Sequence, residues 1–302
     1  MYKRQGGIFT RSGDVSLTSS TLSGNSTSGN DADGGGIFTR SGDVSLTSST
    51  LSGNSTSGGG ANGGGISTSS GDVSLTNSTL SGNAAAMGVG GGVFVFGSNF
   101  RTPSFTIENS IVAGNTDSGT APDLQPNLDS TLTINNSLIG STDLTIGGTG
   151  NQIGSIAEPL DPLLGPLAFN GGPTQTHALL VGSPAINAGN DGVTQTEDQR
   201  GLARNVNGVD IGAFERQAIE PIGTSPVVSS FTRDEGGSLE TLARPDLLSM
   251  ISVSFDVDVS VSVDDLEIRN DTLGGSLVDT SGLIFNYDST TCLLYTSPSP
   301  RD

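Results

Sequence analysis

The chain has 302 residues, with 12 basic and 31 acidic side chains and a formal net charge of −19. Phosphate backbones and anionic membrane surfaces repel such an acidic chain, so nucleic-acid binding is not expected. No apolar run reaches the roughly 18 residues that a membrane-spanning helix needs, and a single cysteine excludes an intramolecular disulfide and a structural thiolate zinc site.

The two ends of the chain, residues 1–5 and 292–302, resemble the translated ends of a transposase sequencing adapter, read in frame. Such segments are set aside before the fold is considered. Without them the chain keeps 9 basic and 30 acidic residues, a net charge of 9 − 30 = −21, and loses its only lysine, Lys3, and its only cysteine, Cys292. Residues 6–291 are expected to be an internal fragment of a longer protein.

A repeat of 29 residues dominates the first half of the chain. Residues 6–29 recur unchanged as 35–58, a variant occupies 64–83, a looser copy 91–115 and a partial copy 132–140. The identity of the first two copies fits either a recent tandem duplication or a misassembly of short reads. Although Gly, Ser, Thr and Asn dominate the composition, the few apolar residues recur at fixed positions, which indicates order.

The apolar residues of each repeat indicate short strands. Val15 and Leu17 alternate with polar residues, which is the period of a strand with one buried face. Ile8 and Leu22 mark two more short apolar stretches. One 29-residue unit cannot bury these side chains alone, but stacked copies can. The sequence therefore predicts an all-β chain whose residues 6–157 form a right-handed parallel β-helix, with coils about 4.8 Å apart.

Stacking aligns equivalent residues of successive coils in columns. The expected inward columns are Ile8, Ile37, Ile66 and Val93, then Leu17, Leu46, Leu75 and Ile107, then Leu22, Leu51, Leu80 and Val112. A polar ladder is expected from Asn25, Asn54, Asn83 and Asn115. Each of these asparagines follows a glycine at a predicted corner, and its amide can bond to the coils above and below, so we interpret the ladder as structural.

The Gly-Gly-Ile and Leu-x-x-Asn patterns of the repeat resemble the repeats of polymorphic outer-membrane-type β-helix adhesins, with Leu in place of Phe in the second pattern. Residues 158–216 depart from the repeat and contain the blocks Asn170-Gly-Gly-Pro-Thr-Gln-Thr-His177, Gln199-Arg-Gly201 and Val209-Asp-Ile-Gly-Ala-Phe-Glu215. These blocks resemble the choice-of-anchor Q domain, which ends many secreted bacterial β-helix proteins. The resemblance implies a module of surface proteins and no chemistry. Physically, the segment is expected to cap the open end of the β-helix.

Residues 217–228 are interpreted as a linker to a second module at 229–291. Apolar and polar residues alternate strictly over 251–263, and together with 227–231 and 283–287 this predicts a small, partial β-sandwich. The segment resembles the immunoglobulin-like modules that follow β-helices in bacterial surface proteins. Because the adapter-like tail interrupts the module, an edge of the sandwich is expected to be missing.

Candidate catalytic chemistry is sparse in this sequence. Pectate-lyase-type sites need calcium-binding carboxylates with a basic residue, and polygalacturonase-type sites need paired acids beside Gly-His-Gly. Neither motif is present, and the acid pair Asp264-Asp265 lies away from the coils. His177 has no Ser or Cys beside it in the sequence and is expected to be a hydrogen-bonded structural residue. No catalytic or cofactor-binding residue is predicted.

Five aspartates are candidates for a metal site: Asp14, Asp43, Asp72, Asp31 and Asp33. The first three would stack one strand spacing apart, where like charges repel. Arg11 and Arg40 or a bound Ca²⁺ would relieve this repulsion, and solvated Gly-Asp turns are the alternative interpretation. The other two lie in Asn-Asp-Ala-Asp-Gly, which lacks the later Glu of a calcium loop, so a loop insertion is expected there.

The expected function is that of a non-catalytic, secreted or cell-surface scaffold of adhesin-like type. Its expected partner is an extracellular glycan or a surface protein. The exposed Ser and Thr faces, such as Ser16, Thr18 and their copies, form flat polar arrays that can bind such partners, but they are equally expected on any soluble β-helix. An acidic surface without lysine suits an extracellular medium, because salt screens its charge. The alternative is the inert C-terminal part of a β-helix polysaccharide lyase or glycoside hydrolase whose catalytic coils lie upstream.

Overall fold

The computed structural model describes residues 6–96, 102–119, 122–126, 130–190, 192, 195–206 and 208–217, together with six strands between 228 and 298. The chain divides into two compact units, Met1–Gln217 and Ala218–Asp302. All regular elements in the described ranges are strands, which confirms the expected all-β class. No helix in those ranges is long and apolar enough to cross a membrane.

The first unit is a parallel β-solenoid whose coils wind through four sheets. Sheet A contains β1 (Ile8–Thr10), β5 (Ile37–Thr39), β9 (Ile66–Thr68), β13 (Val93–Val95) and β17 (Leu124–Gln125). Sheet B contains β2 (Val15–Thr18), β6 (Val44–Thr47), β10 (Val73–Thr76), β14 (Ser104–Glu108) and β18 (Thr131–Asn135). Sheet C contains β3 (Thr21–Ser23), β7 (Thr50–Ser52), β11 (Thr79–Ser81), β15 (Ile111–Val112), β19 (Leu138–Ile139) and β20 (Gln152–Ile153). Sheet D contains β4 (Ser26–Thr27), β8 (Ser55–Thr56), β12 (Ala84–Ala85) and β16 (Thr116–Asp117).

The register stacks each repeat directly on the next. Val44 pairs with Val15 on one side and with Val73 on the other, and Val73 pairs with Phe105. All three expected apolar columns are confirmed by this pairing. From the second coil onward these columns form one continuous buried core, whereas Ile8, Leu17 and Leu22 of the first coil are only partly buried. Stacking therefore supplies the burial that a single repeat lacks.

The corner between sheets B and C is built by a residue in the left-handed region followed by a serine. Ser48, with φ 45°, precedes Ser49, and Asn77, with φ 48°, precedes Ser78. The amide of Ser49 donates to Ser78 Oγ at 3.2 Å, and the amide of Ser78 donates to Ser110 Oγ at 3.0 Å. This serine ladder satisfies backbone donors that the corner removes from the sheets.

The segment after the coils lies along the side of the solenoid, and not over its end as expected. It contains the antiparallel strands β21 (Leu164–Ala168) and β22 (Thr176–Leu179). Its hydrogen bonds reach the first coil at Ser19 (from Thr174 Oγ1, 3.3 Å) and the third coil at Thr79 (from the amide of Ala213, 3.0 Å). Both residues border or lie on sheet C.

The physical reason for this position is a change in the outward column of sheet C. Thr50 and Thr79 are followed in the same column by Ile111 and Leu138, which face outward and need cover. These two side chains form a second buried cluster with the segment's own apolar residues, among them Leu179, Ala185, Ile211 and Phe214. At the end of the solenoid itself, Leu144 and Ile146 pack against the main core.

The second unit contains antiparallel sheets. One has the order β23 (Val228–Arg233), β24 (Ile251–Phe255), β28 (Leu293–Pro298), β27 (Leu283–Asp288), and the other pairs β25 (Arg269–Asn270) with β26 (Ser276–Leu277). The predicted strand over 251–263 is described only as far as Phe255; 256–263 lie outside the described residues. The tail that was set aside as adapter-like supplies β28, an inner strand that pairs with β24 on one side and with β27 on the other.

Candidate functional site

The four asparagines of the predicted ladder are stacked and hydrogen-bonded to one another. Asn25 Nδ2 donates to Asn54 Oδ1 at 3.0 Å, Asn54 Nδ2 to Asn83 Oδ1 at 2.9 Å, and Asn83 Nδ2 to Asn115 Oδ1 at 2.9 Å. Each of the same oxygens also accepts the backbone amide of the preceding asparagine. Asn54, Asn83 and Asn115 are buried, so every one of these polar atoms needs a partner, and the ladder provides it.

The ladder ends on a carboxylate that sequence reasoning did not single out. Asn115 donates both its backbone amide (3.1 Å) and its Nδ2 (2.8 Å) to Asp123 Oδ1. Asp123 is 1 % exposed, and burial raises its pKa from 3.8 to about 6 against the opposing effect of its hydrogen bonds from Asn115 and Ser141. The nearby charge of Asp117 raises it further. Asp123 is therefore a buried acid with a pKa of about 6.

The three stacked aspartates of the metal hypothesis form a backbone-capping column. The amide of Asp43 donates to Asp14 Oδ1 at 2.9 Å, the amide of Asp72 to Asp43 Oδ1 at 2.9 Å, and the amide of Ser104 to Asp72 Oδ1 at 2.8 Å. Each carboxylate thus accepts a backbone N–H group of the next coil, at the point where the strands of sheet B begin. These bonds relieve part of the repulsion that the sequence predicted.

The other two aspartates have different surroundings. Asp33 Oδ1 accepts the backbone amide of Asn62 at 2.7 Å, and Asn62 Oδ1 accepts the amide of Val89 at 3.0 Å, so Asp33 begins another inter-coil ladder. Asp31 is exposed and has a left-handed φ of 53°. Within the described residues, the structure gathers no group of three or more His, Cys, Asp or Glu side chains that could hold a metal ion.

The motif blocks at 199–201 and 209–215 form a buried ionic cluster. Arg200 Nε donates to Asp198 Oδ2 at 2.8 Å, and the Arg200 guanidinium lies 3.6 Å above the ring of Phe214. Asp198 Oδ2 also accepts the backbone amide of Glu215 at 3.0 Å. The motif residues therefore bind one another, and this explains the blocks by folding alone.

Burial also shifts the proton affinities of this cluster. It raises the pKa of Glu215 from 4.5 to about 7, although the carboxylate accepts the amide of Asp210 at 2.9 Å. Burial likewise raises the pKa of Asp210 and lowers that of Arg204, whose Nη1 lies 3.8 Å from Glu215 Oε2. Leaving a buried charge unpaired costs several kcal/mol, so the pairing within this cluster fixes the conformation of residues 198–215.

Packing of the segment on sheet C brings His177 to a serine 125 residues away. Ser52 Oγ lies 2.9 Å from His177 Nε2, and His177 Nδ1 lies 2.7 Å from the carbonyl oxygen of Gly165. A carbonyl only accepts, so Nδ1 carries the proton and Nε2 accepts the hydroxyl proton of Ser52. Burial lowers the pKa of His177 and keeps the ring neutral. No Ser or Cys is adjacent to His177 in the sequence, but the fold brings Ser52 to it, and both ring nitrogens of the histidine are hydrogen-bonded.

Among the described residues of the first unit, the outward side chains of sheet B form a polar surface that is exposed or half-buried, which we call the hydroxyl face. One column contains Ser16, Ser45, Ser74, Thr106 and Thr133, and the next contains Thr18, Thr47, Thr76, Glu108 and Asn135. All of these residues are exposed or half-buried. Within the part of the chain that the structure describes, the eight hydroxyls make no hydrogen bond to protein. They form a regular grid with one step of about 4.8 Å between coils.

Comparison with known proteins supports the fold of the coils. Residues 1–143 match the family described as "Right handed beta helix region". No curated protein and no solved structure matches the chain. Together with the parallel stacking of the strands, the family match supports a right-handed parallel β-helix.

Proposed function

We propose that this protein is a non-catalytic, secreted or cell-surface scaffold that binds an extracellular glycan or a surface protein through the hydroxyl face. The observation that supports this proposal is a contrast between two neighbouring sheets of the first unit. Among its described residues, the polar side chains of sheet B stay exposed or half-buried, whereas described residues between 158 and 217 pack on sheet C. Free hydroxyls that repeat at each coil offer hydrogen bonds to a partner that is itself repetitive. Polysaccharides have this property, since each repeating unit presents the same hydroxyls.

The segments that follow the coils are proposed to be two separate modules. The motif blocks quoted above support our proposal that residues 158–216 are a choice-of-anchor Q-like module. The alternation of apolar and polar residues over 251–263 supports our proposal that residues 229–291 are part of an immunoglobulin-like module. The acidic composition supports an extracellular location, where salt screens the charge. We also propose that 1–5 and 292–302 derive from adapter; sequencing of the genomic locus would then show other codons beyond Gly6 and Thr291.

A binding assay on matched variants tests the proposed surface. The full chain is incubated with insoluble neutral polysaccharides, and the bound fraction is measured by sedimentation at several salt concentrations. Thr47→Arg places a long charged side chain in the centre of the hydroxyl face, whereas Thr116→Arg adds the same side chain to an exposed position of sheet D. We expect Thr47→Arg to lose at least about tenfold in affinity, the effect of 1.4 kcal/mol.

Thr116→Arg controls for the added charge and is expected to bind as the unsubstituted chain does. Equal binding by both variants would show that the hydroxyl face is not the binding surface. Absence of binding to any glycan, with retained binding to a purified cell-surface protein that Thr47→Arg abolishes, would assign the same face to a protein partner.

A further inference from the structure

One column of sheet C contains three serines, of which a single one is bonded to a base. Ser23, Ser52 and Ser81 occupy equivalent positions in successive coils. Only Ser52 lies at hydrogen-bond distance from His177. The side-chain hydroxyls of Ser23 and Ser81 make no hydrogen bond within the described residues. The two flanking serines thus serve as internal references for any reactivity of Ser52.

The histidine is held in the orientation that a general base requires. β22 carries His177 and pairs with β21, whose Gly165 accepts the proton-bearing Nδ1. The lone pair of Nε2 is therefore directed at the hydroxyl of Ser52. A nucleophile, a base within hydrogen-bond reach, and a third group that orients the base form the arrangement that activates a hydroxyl for attack on an electrophile.

We propose that Ser52 is a nucleophile, activated by His177, that accepts an acyl group from small carboxylic esters. The Ser52 oxygen attacks the ester carbonyl carbon and forms a new C–O bond as the bond to the leaving alkoxide breaks. The Ser52 proton moves to His177 Nε2 and from there to the alkoxide, which departs as an alcohol. This activity is separate from binding at the hydroxyl face and does not depend on it.

The surroundings of Ser52 limit the reaction to slow acylation. The backbone amide of Gly53 is used by the sheet, donating to the carbonyl of Ser81 at 3.3 Å, and is not free to stabilise an oxyanion. Absence of one such donor lowers the rate by about 10²–10³. Ser52 is also only 8 % exposed, so only narrow reagents can reach its hydroxyl. We therefore expect one acyl group per chain and little turnover.

Covalent labelling of the full chain tests the proposal. The probes are p-nitrophenyl acetate and an alkyl fluorophosphonate; with the latter, an O–P bond forms, the P–F bond breaks and fluoride leaves. Intact mass gives the stoichiometry, and peptide mapping gives the site. We expect one label per chain, at Ser52. The labelling rate should be at least about 10²-fold lower in His177→Gln, because a positioned general base raises the rate by about 10²–10⁴-fold. Ser81→Ala should label like the unsubstituted chain.

Glutamine can accept from Ser52 and donate to Gly165 but is a far weaker base, so His177→Gln separates activation from simple hydrogen bonding. A circular-dichroism melt verifies that the variant is folded. If it is not, peptide mapping of the unsubstituted chain decides by itself. Labelling distributed over Ser23, Ser52 and Ser81, no labelling at all, or an unchanged rate in folded His177→Gln would each overturn the proposal.

Discussion

The buried Asp123 makes a prediction about how the stability of the coils depends on pH. Its carboxylate ends the asparagine ladder and is 1 % exposed, and burial raises its pKa from 3.8 to about 6. Between these two values the folded chain holds a proton that the unfolded chain has released. Stability must therefore fall as pH rises from about 4 to about 6, the reverse of the usual behaviour of a salt-bridged aspartate.

The size of the effect follows from the shift. One pKa unit corresponds to 1.36 kcal/mol, so a rise from 3.8 to about 6 amounts to about 3 kcal/mol. Glu215 acts in the same direction, because burial raises its pKa from 4.5 to about 7. Through these two groups the unsubstituted chain is thus expected to lose stability as the pH rises from about 4 to about 7.

Asp123→Asn removes one titrating group while keeping an oxygen that can accept from Asn115. Between about pH 4 and pH 7, the unfolding free energy of Asp123→Asn should fall by about 3 kcal/mol less than that of the unsubstituted chain. Urea unfolding at a series of pH values measures this difference. Glu158→Gln controls for the loss of one negative charge at an exposed site. An Asp123→Asn variant with the same pH dependence as the unsubstituted chain would refute the assignment of this titration to Asp123.

Two further predictions concern the stacking of the coils. A Cβ atom at Gly36 would lie 2.6 Å from the carbonyl oxygen of Gly65, so Gly36→Ala should lower the unfolding free energy in urea by about 1–3 kcal/mol. Gly147 has open space around it, so Gly147→Ala should change that free energy by less than about 0.5 kcal/mol. Asn54→Ala should lower the unfolding free energy by about 2–4 kcal/mol and Asn25→Ala by about 1 kcal/mol, because Asn54 is buried and bonds to both neighbouring coils. Equal destabilisation of the two variants in a thermal melt would contradict this.

The sequence predicted the coils well where apolar residues carry the signal. The 29-residue period and the alternation at Val15 and Leu17 predicted sheets A, B and C with the correct register. Sheet D was not predicted, because strands such as Ser26–Thr27 have two residues and no apolar alternation. The serine ladder was missed for a related reason: in a segment rich in serine, nothing in the sequence distinguishes Ser49 from Ser48.

The pairing of Ser52 with His177 could not be predicted from the sequence. It depends on where residues 158–217 lie, and the sequence placed them at the end of the solenoid. One clue was present: the outward column of sheet C changes from threonine to Ile111 and Leu138. A pattern analysis that assigned inward and outward faces separately would have found this exposed apolar patch. It would then have predicted a covering segment on the side of the solenoid.

The first two coils separate the effect of sequence from the effect of position. Residues 6–29 and 35–58 are identical, yet Leu46 and Asn54 are fully buried whereas Leu17 and Asn25 are half-buried. The same side chain therefore contributes more stability in the second coil, since hydrophobic stabilisation scales with the apolar area removed from water. In a stacked fold the energetic weight of a residue is set by its neighbours along the axis. Substitutions at equivalent positions in the two copies should accordingly differ in cost, even though the residues replaced are the same.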